Sequence, residues 1–293
     1  MAVNRKHRTS VFQRPWVSLR KSVQYLALLV FFALFLASRQ DGWQGDLVNL
    51  PMRLDPLAML AHMLASRTFL AGSALALLTI LLTLVFGRAW CSWLCPLGTV
   101  LDLFSLKHWR AALGVYDVKT DKGPAEGWRR VKYGLLIAIL TAALFANLTL
   151  LIFDPLTILI RSLSTSFWPA VDRVFTAAET FLYQAPFLEM PLTLVDSWVR
   201  PLLLPSQPAF YRDAFLFGSV FFGVIALNLF APRFWCRYLC PLGGLLGLVS
   251  KAALFKRRVG EECKACVLCT RGCPTGTINP EKGFASDPSE CTM

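Results

Sequence analysis

The sequence predicts an all-α membrane protein with four transmembrane helices, arranged as two parallel in-out-in repeats and followed by a small cysteine-rich segment. Three observations predict this fold: an apolar composition, an alternation of basic and uncharged stretches, and an internal duplication. Apolar residues make up 55% of the 293 residues and charged residues only 16%, a balance typical of membrane proteins. Membrane lipid is therefore the first predicted partner.

Four uncharged stretches come close to the roughly 20 residues that a transmembrane α-helix needs. The predicted spans are Ser22–Ser38, Thr68–Gly87, Tyr133–Phe153 and Ala214–Pro232. The first span follows basic residues and ends in FLAS, so a secretory signal peptide is the alternative interpretation of that stretch. Cleavage of such a peptide would leave three spans.

The net charge of +12 indicates membrane topology and does not favour a nucleic-acid partner. Lys and Arg are concentrated before the first span, between the second and third, and after the fourth, and they are sparse in the other connections. By the positive-inside rule, both termini and all nine cysteines are predicted to be cytoplasmic. The expected location is the cytoplasmic (inner) membrane of a bacterial or archaeal cell, as a multi-pass protein.

The two halves of the chain repeat each other. RAWCSWLCPLGTVLDLFS from Arg88 aligns without gaps with RFWCRYLCPLGGLLGLVS from Arg233, and KSVQYLALL from Lys21 resembles RRVKYGLLI from Arg129. Both halves begin and end on the same side, which predicts a pseudo-twofold axis along the membrane normal. The predicted organisation is a basic N-terminus (1–21), a first repeat (22–110), a linker (111–132), a second repeat (133–255) with an outer insertion (156–212), and a cysteine segment (256–293).

Each predicted repeat turns at an Asp-Pro pair, Asp55-Pro56 in the first and Asp154-Pro155 in the second. Asp is a favoured helix N-cap and Pro a favoured first-turn residue, so short outer helices are expected to begin there. A role of the two carboxylates in releasing protons from quinol is the alternative. The outer insertion is rich in Pro and aromatic residues, which predicts a partly helical interfacial cap.

The C-terminal segment carries the most specific motif. Cys263, Cys266, Cys269 and Cys273, followed by Pro, form C-x2-C-x2-C-x3-C-P, the run that binds a cubane 4Fe-4S cluster in bacterial ferredoxins. On the reducing side of a membrane, metal sites are expected rather than disulfides. Zinc is the alternative, although zinc ligands usually come as two C-x2-C pairs set well apart.

The motif from Cys263 to Cys273 is called the C-terminal cysteine ladder. Cys291 stands where a second such ladder would begin. In two-cluster ferredoxins the Cys before Pro serves the other cluster, so the fourth ligand of the first cluster remains open between Cys273 and Cys291. We expect one complete 4Fe-4S cluster, a second cluster as an open alternative, and a sequence that is a C-terminally truncated copy of a two-cluster domain.

Two C-x3-C-P-L-G motifs follow the second and fourth spans, with Cys91 and Cys95 in one and Cys236 and Cys240 in the other. A spacing of four places both sulfurs of a motif on one helical face, and the Pro-Leu-Gly that follows is expected to end or redirect the helix and so to expose the sulfurs. The repeat predicts that the four thiols face each other and hold a further cluster or a zinc ion. Structural thiols packed at helix ends are the alternative.

The histidines do not favour haem. A haem between helices commonly needs two axial histidines at matching depth, whereas His62 is predicted outside and His7 and His108 inside. No Gly-rich phosphate loop and no Ser/His/Asp arrangement was found in the sequence, so no catalytic residue is assigned. Any oxidoreductase activity is expected to belong to a complex rather than to this chain alone.

With its duplicated C-x3-C-P motifs and its C-x2-C-x2-C-x3-C-P ladder, the chain resembles the membrane-bound polyferredoxins of the NapH, NosR and CcoG type. The resemblance implies four spans and cytoplasmic 4Fe-4S clusters, with ligands at Cys263, Cys266, Cys269 and Cys273 and with Cys291 opening a second ladder. It implies electron transfer between the quinol pool, or a cytoplasmic donor, and a respiratory reductase partner. The alternative is an accessory or regulatory protein for the maturation of a respiratory metalloenzyme.

Overall fold

The computed structural model describes residues 15–38, 50–68, 71–105, 126–184, 193, 197, 211–260, 263, 269–270, 273, 275–278, 280 and 283–291. Within these residues, all regular secondary structure is helical. The predicted all-α class is therefore confirmed for the part of the chain that the structure describes.

The same order of elements occurs twice. The first half contains α1 (Pro15–Ala37), α2 (Leu50–Arg53), α3 (Pro56–Ser66), α4 (Leu75–Phe86), α5 (Ala89–Trp93) and α6 (Pro96–Leu103). The second half contains α7 (Val131–Leu144), α8 (Pro155–Ser162), α9 (Trp168–Leu182), α10 (Ala214–Leu227), a π-helical turn (Trp235–Leu239) and α11 (Pro241–Ser250). Each half thus has a first apolar helix, an Asp-Pro helix, a second apolar helix, a C-x3-C turn and a helix that begins at Pro.

Only one helix is long and apolar enough to cross a membrane by itself among the residues described, and it lies at Ser18–Ala37 within α1. Helices α4, α7 and α10 have 12, 14 and 14 residues. At a rise of 1.5 Å per residue these helices extend about 18–21 Å, less than the roughly 30 Å of a hydrocarbon layer. The four-span arrangement therefore stays a prediction.

The third predicted span is shortened by a break in its backbone. Helix α7 ends at Leu144, and Ala146 has a φ of 60°, a left-handed conformation that few residues other than Gly adopt. The Asn147 side chain then accepts a hydrogen bond from the Thr149 backbone N–H at 2.9 Å, and a 3-10 helix follows over Thr149–Phe153. A continuous apolar sequence contains no signal for this break.

Helices α4, α7 and α10 expose large apolar side chains as well as burying them. Leu81, Ile137 and Phe215 are 59%, 63% and 86% exposed. A surface helix of a water-soluble protein normally carries polar residues on its outer face, whereas a helix that is apolar all round suits a lipid environment. The exposed apolar surface therefore favours contact with lipid.

The two halves pack directly against each other. Helix α3 contacts α7, α4 contacts α11 and α6 contacts α8, which joins elements of the first half to elements of the second. The shared core is apolar and includes Leu57, Leu97, Leu136, Ile158 and Leu246, each at most 3% exposed. The C-x3-C turns lie at the border of this core.

Both Asp-Pro helices begin as predicted. The Asp55 carboxylate accepts hydrogen bonds from the Leu57 and Ala58 backbone N–H groups at 2.8 and 3.3 Å. The Asp154 carboxylate caps α8 in the same way, with two bonds of 3.0 Å. The capping interpretation is therefore confirmed, while the proposed quinol role of these carboxylates stays a prediction.

The two capping carboxyl groups meet inside the protein, where Asp55 and Asp154 are 2% and 0% exposed. Burial and the adjacent Asp55 raise the pKa of Asp154 well above its ordinary value. Burial and the neighbouring carboxyl group therefore both disfavour the charged form of Asp154.

The predicted outer insertion is helical from residue 156 to residue 182. A π-helical turn at Leu163–Phe167 connects α8 to α9, which ends at Leu182. Most of the insertion after residue 184 lies outside the described residues. Its position relative to a membrane stays a prediction.

Candidate metal centre

Pro redirects the chain at both C-x3-C motifs, as the sequence predicted. Helix α5 closes with hydrogen bonds from the Leu94 and Cys95 backbone N–H groups to the Trp90 carbonyl, both 3.0 Å. Cys95 is then the N-cap of α6, whose first residue is Pro96. The second motif is built alike, because Cys240 caps α11. Each second cysteine is therefore fixed at a corner between two helices.

The structure brings the four thiols of the two motifs together. Cys95 and Cys240 are buried, while Cys91 and Cys236 are half-buried. The expected exposure of the sulfurs is therefore wrong for Cys95 and Cys240, because both pack into the shared core. Burial raises the pKa of Cys240 well above its ordinary value, and the charges of Cys236, Cys91 and Cys95 add to the effect. Burial likewise raises the pKa of Cys236 to about 11. The four thiols, two from each repeat, therefore lie near one another at the border of the shared core.

Two buried arginines adjoin this site, and each precedes a C-x3-C motif by three residues. The Arg88 side chain interacts electrostatically with Cys91, Cys236 and Cys240, and Arg233 does so with Cys236 and Cys95. Both arginines are 1% exposed. Sequence reasoning counted them only as topology charges, although their identical placement in RAWC and RFWC was a usable signal.

Each arginine crosses from its own half to the other. The Arg233 guanidinium donates to the Cys91 carbonyl at 3.3 Å, and Arg88 reaches the helix start that carries Gly243. A Cβ at Gly243 would lie 2.7 Å from Arg88 Nη2, and one at Gly98 would lie 3.1 Å from the Cys91 carbonyl oxygen. Gly243 therefore makes room for the Arg88 side chain, and Gly98 makes room for the Cys91 carbonyl to which Arg233 donates.

Arg233 is itself neutralised by Asp102. Its Nε lies 2.7 Å from Asp102 Oδ1 and its Nη2 lies 2.5 Å from Oδ2, a two-point contact. Burial would raise the pKa of Asp102, but the charge and hydrogen bonds of Arg233 hold it below its ordinary value. Arg233 is thus anchored beside the thiols.

The chemistry of these groups fits a 4Fe-4S cluster. Such a cluster is bound by four thiolates, and hydrogen bonds to sulfur tune its potential. The Gly243 backbone N–H donates to Cys240 Sγ at 3.2 Å, and the two buried guanidinium groups would offset the negative charge of the ligands. Burial favours neutral thiols here, so the positive charge of bound iron would be needed to hold them as thiolates.

The four thiols are not gathered around a single point. Within the described residues, no three His, Cys, Asp or Glu side chains are close enough to hold one metal ion. A tetrahedral zinc site with Zn–S bonds of about 2.3 Å requires sulfurs about 3.8 Å apart. A cubane holds its thiolates on four separate irons, so its ligands stand farther apart.

The cysteines of the C-terminal ladder are placed differently from one another. Cys263 and Cys269 are exposed, Cys273 is buried and Cys291 is half-buried; Cys266 lies outside the described residues. No three of the described ladder cysteines are close enough to hold one metal ion.

Cys273 and Cys291 are neighbours, and both lie near the four-thiol site. Burial raises the pKa of Cys291, and the nearby Cys273 adds to that rise. Cys291 also interacts electrostatically with Arg88, and Cys273 does so with Arg20 of α1. Arg20 in turn interacts with Arg233, so both C-terminal thiols lie close to arginines at or beside the first site.

The surroundings of Cys273 favour its thiolate form. Burial alone would raise its pKa, but hydrogen bonds from Thr275 and Thr277 lower it to about 7. The two hydroxyl oxygens lie 3.5 and 3.7 Å from Cys273 Sγ. An environment that stabilises thiolate is what a metal ligand requires.

Comparison with known families and proteins points to iron-sulfur chemistry. A family model described as a 4Fe-4S binding domain matches residues 68–112 and 214–260, the two segments that carry the C-x3-C motifs. Protein NirI of Paracoccus denitrificans is 29% identical over 231 residues, which is 77% of this chain and 26% of NirI. The putative electron transport protein YccM of Escherichia coli is 28% identical over 236 residues, 76% of this chain and 51% of YccM.

The ferredoxin-type protein NapH of Escherichia coli is 23% identical over 275 residues, which is 88% of this chain and 75% of NapH. The chain therefore spans about a quarter of NirI and about half of YccM. No solved structure matches the chain.

Proposed function

Since the chain belongs to the family of membrane-bound ferredoxin-type 4Fe-4S proteins, we propose that it passes electrons between the quinol pool, or a cytoplasmic donor, and a respiratory reductase partner. The chain carries 4Fe-4S clusters, which accept and donate single electrons when bound. We propose an electron carrier rather than a stand-alone catalyst, so that substrate turnover belongs to the partner.

One observation carries the proposal: thiols from both halves converge, and the C-terminal thiols lie beside them. Cys91 and Cys95 meet Cys236 and Cys240, and we assign these four as ligands of one cluster. Arg88 interacts with thiols of this site and with Cys291. Two adjacent metal sites are what stepwise electron transfer needs.

The second site is assigned to the C-terminal ladder. Its ligands are drawn from Cys263, Cys266, Cys269, Cys273 and Cys291. Cys273 and Cys291 are neighbours, so either thiol could supply the fourth ligand beside Cys263, Cys266 and Cys269. Thr275 and Thr277 would stabilise the Cys273 thiolate within it.

The protein's own residues set the electrostatics of the first site. Arg88 and Arg233 place two positive charges beside the thiols, which favours the more negative, reduced state of a bound cluster. Asp102 neutralises one of these charges. The chain thereby tunes the potential through buried charge and hydrogen bonds to sulfur.

A multi-pass arrangement with all cysteines on the cytoplasmic side completes the proposal. The distribution of Lys and Arg supports this orientation, and the exposed apolar faces of α4, α7 and α10 support contact with lipid. Short helices can be accommodated by local thinning of the bilayer. Thiol labelling of intact cells would detect an outward-facing site.

The proposal is tested by electron paramagnetic resonance on anaerobic membranes that contain the full chain. Addition of quinol, or of a reduced cytoplasmic donor, is expected to produce a reduced-cluster signal within the turnover time of the partner enzyme. If dithionite reduces the clusters but neither quinol nor the cytoplasmic donor does, that result would contradict electron transport and favour a role in maturation. Protein that contains zinc but neither iron nor acid-labile sulfide would contradict both the electron-transport and the maturation roles.

Cysteine variants separate the two sites. Cys91→Ser and Cys236→Ser are expected to remove the same centre, because their sulfurs come from opposite halves of one site. Cys263→Ser serves as the matched control and is expected to leave that centre in place while altering the second. If Cys91→Ser and Cys236→Ser instead remove two different resonance signals, that result would contradict the shared site.

A further inference from the structure

The two halves differ at one charged position near the metal centre. In the first half, Asp102 of α6 binds Arg233 and lies 3.4 Å from Gln24 Nε2 of α1. In the repeat alignment, Gly247 of the second half corresponds to Asp102, and Lys132 corresponds to Gln24. Arg88 of the first half corresponds to Arg233 of the second. The second half thus has an additional cation and lacks the acid.

Two buried cations without an acid would be strongly destabilising. Lys132 is 0% exposed and Arg88 is 1% exposed, so water does not solvate either charge. The missing carboxylate must come from another part of the chain.

Glu290, far along the sequence, supplies it. Its Oε1 binds Lys132 Nζ, and its Oε2 lies 3.3 Å from Arg88 Nη1 and 3.7 Å from Arg129 Nη1. The Glu290 side chain is only 6% exposed. One carboxylate is therefore enclosed by three cations at the position that corresponds to Asp102.

Gly247 makes the room for this insertion. A Cβ at position 247 would lie 2.9 Å from the Ser289 carbonyl oxygen and 3.3 Å from the Tyr133 hydroxyl. Arg88 Nη1 also donates to the Ser289 carbonyl at 2.9 Å. The same substitution that removes the acid from α11 thus opens the surface that receives the C-terminal segment.

We propose that Glu290 is a positioning residue that locks the C-terminal cysteine segment onto the second half by taking the place that Asp102 fills in the first. The lock holds the adjacent Cys291 near Arg88, and thereby near the four-thiol site. The docking itself depends only on charges and contacts within the chain, whereas its consequence for electron transfer rests on the proposed function.

Other contacts support the docked segment without replacing the lock. Ser250 Oγ donates to the Pro288 carbonyl at 3.0 Å, and Arg257 donates to the Phe284 carbonyl at 2.7 Å. Arg129 also bonds the Gly276 carbonyl at 3.2 Å. These are single bonds to backbone oxygens, so loss of Glu290 is expected to loosen the segment rather than to unfold the protein.

Hydrogen-deuterium exchange of the full-length, cluster-loaded protein in detergent tests the lock. Glu290→Gln keeps the shape and removes the charge, and it is expected to accelerate amide exchange over residues 283–291 about tenfold or more, since a buried pair loses one partner. Glu290→Asp is expected to restore most of the protection. Asp213→Asn, an exposed acid at the start of α10, is the matched control and should leave this exchange unchanged.

A second variant keeps the test independent of folding defects. Gly247→Asp places an acid in α11 beside Arg88 and Lys132 while obstructing Ser289, so it is expected to release residues 283–291 and leave exchange in α7 and α11 protected. Unchanged exchange over 283–291 in both Glu290→Gln and Gly247→Asp would overturn the proposal. Exchange that rises equally across α7 and α11 would also overturn it, since Glu290 would then be a general stabilising residue.

A spectroscopic measurement reports on the position of the segment. When both sites carry reduced clusters, their magnetic interaction broadens the resonance signals, and Glu290→Gln is expected to diminish this broadening while each cluster is retained. Broadening identical to that of the unmodified chain would count against a positioning role. Failure of quinol to reduce the clusters would instead count against the proposed function and would leave the exchange result unaffected.

Discussion

Replacement of Asp102 by Asn removes the charge partner of Arg233, a buried cation beside the metal centre. The perturbation is local, because Asn has nearly the same shape and can still accept one hydrogen bond. Arg233 has a 2% exposed side chain and loses its charge partner, whereas the Asp102 side chain is 35% exposed. Breaking a fully buried pair costs about 3–5 kcal/mol, and partial access of water at Asp102 lowers the expected loss to about 2–3 kcal/mol.

A loss of this size is measurable as thermal stability. For a chain of this length, about 2–3 kcal/mol corresponds to a fall in Tm of roughly 4–10 °C. The double variant Asp102→Asn with Arg233→Met removes both charges, so it is expected to be more stable than the sum of the two single variants predicts. Thermal scans of all four proteins in one detergent, under anaerobic conditions, provide the comparison.

The pH dependence gives an independent check on the same pair. The pKa of Asp102 is held below its ordinary value, so its stabilising contribution is present above the ordinary Asp pKa and is lost as pH falls through the lower value in the folded protein. Asp102→Asn is expected to remove that part of the acid destabilisation. An unchanged Tm in Asp102→Asn, or strictly additive effects in the double variant, would refute this account of the ion pair.

Three further predictions follow from the site and its surroundings. Burial and the neighbouring Asp55 raise the pKa of Asp154. The contribution of this group to stability is therefore present at acid pH, and it falls as pH rises from the ordinary Asp range towards the raised value. Asp154→Asn should flatten this part of a Tm–pH profile. Arg88→Met removes a positive charge beside the thiols, so a redox titration should show a cluster potential lower by tens of millivolts; exposed Arg212→Met should show no shift. Gly243→Ala places a Cβ 2.7 Å from Arg88 Nη2 and should cost about 1–3 kcal/mol, whereas Gly134→Ala, with no atom within 4 Å, should be neutral or stabilising by thermal scan.

Local signals and the internal repeat explain what could be predicted from the sequence. Asp before Pro is a short-range helix start, and both Asp55 and Asp154 cap helices as expected. The duplicated C-x3-C spacing predicted that Cys91 and Cys236 would approach each other, because symmetry-related positions of a parallel repeat meet near its axis. These features depend on a few neighbouring residues or on the repeat alone.

The features that sequence reasoning missed depend on distant or conformational information. Glu290 meets Arg88 across 202 positions of the chain, and no local pattern marks such a pair. The aligned difference between Asp102 and Gly247 is visible in the sequence, but its meaning requires the position of the C-terminal segment. The break at Ala146 is a backbone conformation, and an apolar run that contains it looks the same as an unbroken span.

The central claim is that one cluster is shared by thiols of both halves. Its most direct test uses the anaerobically prepared variants Cys95→Ser and Cys240→Ser. Iron and acid-labile sulfide are determined per chain, and the electron paramagnetic resonance spectrum is recorded with the clusters reduced. The account predicts that each variant loses about four irons and the same signal, and that the double variant loses no more than either single one. Full iron content in either variant, or additive losses in the double variant, would contradict it.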